Sequence, residues 1–157
     1  MNAVLDFLND PIRLDEKLAF PSEIQTPTGF LVDTSRPIWV TPPGVGNMNW
    51  GLHEELGDLL LIFKAYAAEL LAGRSESTAI NFYSAFTAVS KFGGWRKVKS
   101  HWLTCGEIDF PLMLALKKGL IEENPNTAWR DYSDIRRWYY WAHGLRIPGF
   151  SIETVDR

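Results

Sequence analysis

The sequence predicts a mainly α protein: a compact four-helix bundle preceded by an N-terminal extension that carries a short β-hairpin. Two observations point there. From about position 52 onward, apolar residues recur at spacings of three and four, the period of helices that bury one face, in four stretches separated by short Gly-, Ser- or Pro-marked breaks. The first fifty residues lack that period, and six of the nine prolines fall within the first 43 positions. At 157 residues, 46% of them hydrophobic and seven of them tryptophan, the chain can build a core without metal or disulfide support.

In the extension, Thr28–Val32 and Pro37–Thr41 read as two short strands around the turn Asp33–Arg36, and Pro42–Asn47 reads as a linker to the helical part. The first helix is expected over about 52–72. Leu52, Leu56, Leu59, Leu60, Phe63, Tyr66, Ala67, Leu70 and Leu71 form its apolar face, and Gly73 ends it. The second starts at Ser75 as N-cap and runs to Phe92, with Ile80, Phe82, Phe86, Val89 and Phe92 inward and Gly93-Gly94 as the stop.

The third helix opens at Thr104-Cys105-Gly106-Glu107, which has capping-box spacing, tolerates Pro111 in its first turns, and ends near Gly119 or Leu120. The fourth begins near Asn126 or Thr127 and stops before Pro148. Its stripe of Trp129, Tyr132, Ile135, Trp138 or Tyr139, and Ala142 is the side that packs. Ser133, Arg136, Arg137 and Tyr140 fall together on another side, which taken alone is a solvated surface with Asp134 pairing Arg130 or Arg137.

Charge and composition narrow the function classes. Cys105 is the single cysteine, so no intrachain disulfide forms and a cytoplasmic setting is expected. The most apolar run, Leu59–Ala72, is broken by Lys64 and Glu69 and is too short to span a bilayer, so no membrane partner is expected. Net charge is −3, yet residues 1–58 hold nine acidic and three basic side chains, a net of −6, whereas residues 59–157 hold ten and thirteen, a net of +3. A basic second half is the pattern of a polyanion footprint.

No enzyme chemistry emerges. Gly44-Val45-Gly46 lacks both the third glycine and the strand–helix alternation of a nucleotide loop. His101 and Cys105 have i, i+4 spacing, but two ligands do not make a structural zinc site. Glu122-Glu123 reads as solvated charge, and no Ser, His and acid set can be nominated. The expectation is no catalytic residue, no metal, no cofactor and no small-molecule substrate.

Several segments, in order, carry a resemblance. Phe63-x-x-Tyr66 precedes the turn Gly73-Arg74-Ser75; Thr78-x-x-Asn81-Phe82 is followed by Phe86 and Phe92; Leu103-Thr104 leads to Ile108-Asp109; and Ser133-x-Ile135-Arg136-x-Trp138-Tyr139-x-Trp141 closes the series. Residues 59–150 thereby resemble the N-terminal core-binding domain of tyrosine recombinases, the phage-integrase family. The last motif is the most specific, being similar to the family's Ser-x-Leu-Arg-x-Phe-aromatic-x-Trp.

The resemblance implies a SAM-like helical domain forming half of a clamp around duplex DNA, with self-association of recombinase protomers on that DNA and a role in DNA integration or recombination. It carries DNA contact onto Ser75, Thr78, Ser133 and Arg136; charge and expected exposure add Lys91, Arg96, Lys97, Lys99 and Arg137. The family's catalytic residues belong to a separate C-terminal domain. His143-Gly144-Leu145-Arg146 copies its His-x-x-Arg spacing, but with eleven residues following and no tyrosine among them it reads as a helix exit. The expected organisation is an extension over 1–50, a DNA-binding domain over 51–150 and the start of a linker over 151–157, as in a fragment of a longer recombinase. The alternative class is a helical protein-interaction module that does not bind DNA.

Overall fold

A computed structural model describes residues 16, 18–56, 58–90, 110–147 and 150. The described residues form four short strands, β1 (Glu23–Gln25), β2 (Leu31–Asp33), β3 (Ile38–Trp39) and β4 (Met48–Asn49), then a 3-10 segment Trp50–Leu56. Four α-helices follow: α1 (Asp58–Gly73), α2 (Glu76–Ser90), α3 (Phe110–Glu123) and α4 (Ala128–Gly144). The mainly helical bundle and its strand-bearing extension are as the sequence predicts.

The strands pair differently from the expectation. β1 pairs with β2 and β3 with β4, both antiparallel, so Leu31–Asp33 and Ile38–Trp39 belong to separate sheets. The first turn is made by Thr26-Pro27-Thr28-Gly29, where the Gly29 amide donates to the Thr26 carbonyl at 2.8 Å and Gly29 sits at φ +90°, a conformation glycine takes at no steric cost. The second is Pro42-Pro43-Gly44-Val45, with Val45 N–H donating to Pro42 O at 3.1 Å and Gly44 at φ +88°, the residue order of a type II turn. The stretch read as a linker is therefore the β3–β4 connection. Between the sheets, the Asp33 carboxylate accepts from the Ser35 amide and hydroxyl, and Pro37 offers no amide to a ladder, so Asp33–Arg36 separates the strands it was expected to join.

The first helix also starts later than expected. Trp50–Leu56 is two 3-10 pieces broken at His53, whose φ of −125° and ψ of 19° are not helical, so no continuous helical stripe passes through it, and Leu52, inward on a 3.6-residue stripe, is 69% exposed. The Ser75 hydroxyl accepts from the Thr78 amide at 3.0 Å, so the predicted N-cap of α2 is present. The third helix extends to Glu123, past the expected stop near Gly119 or Leu120, and Pro111 is its second residue, where a missing amide costs nothing. Its expected capping box, with His101 and Cys105, lies outside the described residues. Thr127 precedes α4 as expected, with its hydroxyl donating to Asp131 at 3.2 Å. At the other end Arg146 takes a left-handed φ of 60° and Ile147 N–H returns to Ala142 O, so His143–Arg146 is a helix exit.

One core runs through extension and bundle. Leu18, Ile24, Val32, Trp39, Met48 and Trp50 join Phe63, Phe82, Phe86, Ile135, Trp138 and Tyr139 in a single cluster, so the extension covers the bundle and Trp39 and Trp50 anchor it. Neighbouring aromatic rings lead from Phe20 through Trp39, Trp50, Phe86, Phe63 and Trp138 to Phe150, with consecutive centroids 4.1–5.5 Å apart. The tightest step is Phe63 on Trp138, stacked within 7° of parallel.

A polar clasp adds to this apolar seam. Thr26 and Thr28 in the first turn both donate hydroxyl protons to Oε1 of Glu76, the first residue of α2, which is only 5% exposed. Those donors, Thr26 first, hold the Glu76 carboxyl below the usual glutamate range.

Two outcomes follow from this packing. Trp138→Ala, removing the ring that joins α1 to α4, costs on the order of 3–5 kcal/mol in chemical denaturation. Glu76→Gln loosens the clasp with a defined pH signature. A lowered folded-state pKa gives stability that is complete above the ordinary glutamate value and is lost as pH falls through the lowered one. The melting-temperature gap between wild type and Glu76→Gln is therefore widest near neutrality and closes in acid.

Candidate functional site

A groove of about 790 Å³ lies between the end of α1, the start of α2 and the face of α4 that runs from Arg130 to Trp141. Its floor is aromatic. The Tyr66 ring lies 4.8 Å from Phe82 and 5.2 Å from Trp141, one helical turn beyond the Phe63–Trp138 stack on each of α1 and α4. Burial raises the Tyr66 pKa, with the nearby Asp134 charge adding to the effect, so its phenol stays protonated.

The rim is charged. Arg130, Asp134, Arg137 and Trp141 follow one another at i, i+4, i+7 and i+11, a single stripe of α4, and Arg74 in the α1–α2 turn faces them. Thr78 and Asn81 supply neutral polar groups from α2, and Glu69 adds a carboxylate from α1. Three arginines against two carboxylates leave a net of +1. Both carboxylates have internal donors: the Trp141 indole N–H donates to Glu69, and Arg137 Nη1 donates to Asp134 at 3.1 Å. Burial pushes the Asp134 carboxyl up, opposed chiefly by the adjacent Arg137 and reinforced by Asp131.

Of the residues nominated from the sequence, Thr78 and Arg137 line this groove. Ser75 is partly buried and spends its hydroxyl on capping α2 and on the Thr78 hydroxyl, 2.9 Å away. Ser133 is partly buried and is not among the groove residues. Arg136 is exposed and lies over Tyr140, with its guanidinium 5.3 Å from the ring centre and donating to the phenol oxygen at 3.1 Å. Lys91, Arg96, Lys97 and Lys99 lie outside the described residues.

Sequence reasoning missed Arg74, Arg130 and Asn81 as groove residues. For Arg130 the signal was the Arg130–Asp134–Arg137–Trp141 spacing on α4, whose charged members read as solvated surface; Arg74 and Asn81 stood within the turn and the α2 motif with no spacing to set them at a groove. Trp129, expected on the packing stripe, is 70% exposed, with the Lys117 ammonium over its ring at 5.3 Å. It stands in the first turn of α4, beside Lys117 of α3 instead of in the core.

Among the described residues no group of three or more His, Cys, Asp and Glu could hold a metal ion, and no helix is long and apolar enough to cross a membrane. Comparison with protein-family models, with curated proteins and with solved structures returned no match.

The raised pKa of Asp134 carries a stability consequence. Its charge is disfavoured in the fold, so the stability it contributes is present in acid and lost as pH rises through the raised value. Asp134→Asn is expected to leave the melting temperature at neutral pH unchanged or slightly higher; a clear drop would show that the Arg137 pair outweighs the burial.

Proposed function

We propose that this chain is a DNA-binding module of the tyrosine-recombinase core-binding type, which grips duplex DNA through phosphate contacts in the groove between α2 and α4 in the service of DNA integration or recombination. The observation that carries the reading is the convergence of Arg74, Arg130 and Arg137 over an aromatic floor, with Thr78 and Asn81 opposite. Guanidinium groups make paired, charge-assisted bonds to phosphate, and a floor that excludes water strengthens each of them. Such contacts position a protein on DNA without choosing a sequence. The ordered motifs on α1, α2 and α4 support the same reading, because Phe63, Phe82, Phe86, Trp138 and Tyr139 lie in the core and Tyr66 and Trp141 in the groove floor above it.

The protein-interaction alternative draws on a different surface. Trp129, Ile121 and Leu114 are exposed on α3 and the start of α4, 70%, 52% and 38% respectively, and none of them lines the groove. Exposed apolar groups of this size are the usual material of a protein contact.

Fluorescence anisotropy with a labelled duplex separates the two. With about four to six phosphates neutralised, log affinity falls against log salt with a slope of roughly −4 to −5, and Arg130→Gln or Arg137→Gln each reduces that slope by about 1. Arg136→Ala, off the groove, costs less affinity than Arg137→Ala. A folded chain that binds no duplex at low salt overturns the reading in favour of the α3–α4 surface.

A further inference from the structure

We propose that Asp134 is a built-in competitor for the groove, occupying Arg137 until a phosphate arrives, and that the phosphate then enters together with a proton taken up by Asp134. The inference rests on the phosphate-gripping reading of the groove and adds to it control by pH.

The geometry sets up a contest for one donor. Arg137 Nη1 lies 3.1 Å from Asp134 Oδ1, and the Arg137 side chain is 70% exposed whereas that of Asp134 is 17% exposed. The arginine is thus open to a ligand, and its present acceptor is recessed beneath it. A phosphate oxygen bonding the same N–H would lie against the Asp134 carboxylate, two anions at one donor in a partly desolvated groove.

Asp134 can yield by turning away or by becoming neutral. Its low exposure leaves little solvent-facing room for the first route. The second is already prepared, because burial disfavours the carboxylate before any ligand is present.

The groups facing it give the sign. From α1 come Tyr66 and Glu69, from the α1–α2 turn Arg74, and from α4 Arg130, Asp131 and Arg137, while α2 contributes the uncharged Thr78 and Asn81. Glu69 is engaged by the Trp141 indole, so Asp134 is the carboxylate that a phosphate at Arg137 meets. An arriving phosphate acts on Asp134 in the direction Asp131 already does, toward the protonated form. By linkage, affinity for the phosphate rises as pH falls, with the proton drawn from the buffer.

The test uses the full chain and two probes, a short DNA duplex and inorganic tripolyphosphate, titrated calorimetrically at neutral and mildly acid pH in buffers of different ionisation enthalpy. Wild type is expected to take up a fraction of a proton on binding and to bind more tightly in acid. Asp134→Asn should bind up to about three- to tenfold more tightly at neutral pH, the most that one like charge at ~6 Å opposes for an effective dielectric between about 80 and 40; the Asp134 proton is read as the difference in uptake between wild type and variant, because tripolyphosphate exchanges protons of its own. Arg137→Gln should weaken binding and also lose the Asp134 proton.

Asp134→Asn binding no more tightly than wild type, or keeping wild-type uptake, overturns the proposal. The same pattern with tripolyphosphate but no duplex binding leaves the competitor role standing and removes the DNA reading. Binding of the duplex without effect of Asp134→Asn keeps the DNA reading and removes the competitor. Binding of neither probe by a folded chain overturns both.

Discussion

The stack of Phe63 on Trp138 sets the position of everything else. The two rings lie 4.1 Å apart centre to centre at the middle of α1 and α4, and Phe63 also reaches Phe86 on α2 at 4.6 Å, so one residue fixes three helices. One turn away on each helix, the half-buried Tyr66 and Trp141 and the buried Phe82 repeat the arrangement as the groove floor. Core and site are successive rungs of one ladder. The spacing between α2 and α4 at the groove is therefore inherited from buried rings, and a change in the core is transmitted to the rim as a change in the separation of its arginines. The extension enters the same ladder from the far side, through Trp50 against Phe86.

Electrostatics at the groove are more finely balanced than a basic patch. Three arginines over an apolar floor would repel one another if left alone, and Asp134 and Glu69 relieve that repulsion. The same two carboxylates then oppose any anion that enters. A surface ion pair such as Asp134–Arg137 is worth about 0–1 kcal/mol to the fold, so its main effect is on what the groove accepts. The sequence-wide excess of basic residues after position 58 understates this, because a net of +3 spread over a hundred residues says nothing about where opposing charges sit.

What was legible in the sequence follows from which forces are local. The Ser75 cap, the break around Arg74 and the start of α4 at Ala128 are set by neighbours in the chain, and the four helices were readable from apolar spacing. The strand pairing was not, because it depends on which of two turns closes a hairpin. Pro27-Thr28-Gly29 and Pro43-Gly44 both carry turn chemistry, but the more polar Asp33–Arg36 drew the reading. Leu52 and Trp129 each match a helical stripe in sequence, but Leu52 falls in the kinked 3-10 segment and Trp129 meets a lysine of α3 at the surface and not the core. The groove residues were harder again, since Arg136 and Arg137 point about 100° apart on one helix, and only the position of α2 decides which faces the gap.

The start of α2 shows how the fold redistributes a role that the sequence suggested. A helix N-terminus with free amides and hydroxyls is a ready anion site, and Ser75 and Thr78 stand there. In the structure that end is already satisfied: the Ser75 hydroxyl takes the Thr78 amide, and the Glu76 carboxylate accepts from its own backbone amide and from two threonines of the extension. A buried negative charge at the helix start offsets the dipole that would otherwise attract a phosphate. The extension thus stabilises α2 by filling the site that an unassisted helix would offer to a ligand. The cationic groups left at the groove are then the guanidiniums of Arg130 and Arg137 on α4 and of Arg74 in the α1–α2 turn, and of these Arg137 is the one already paired with a carboxylate.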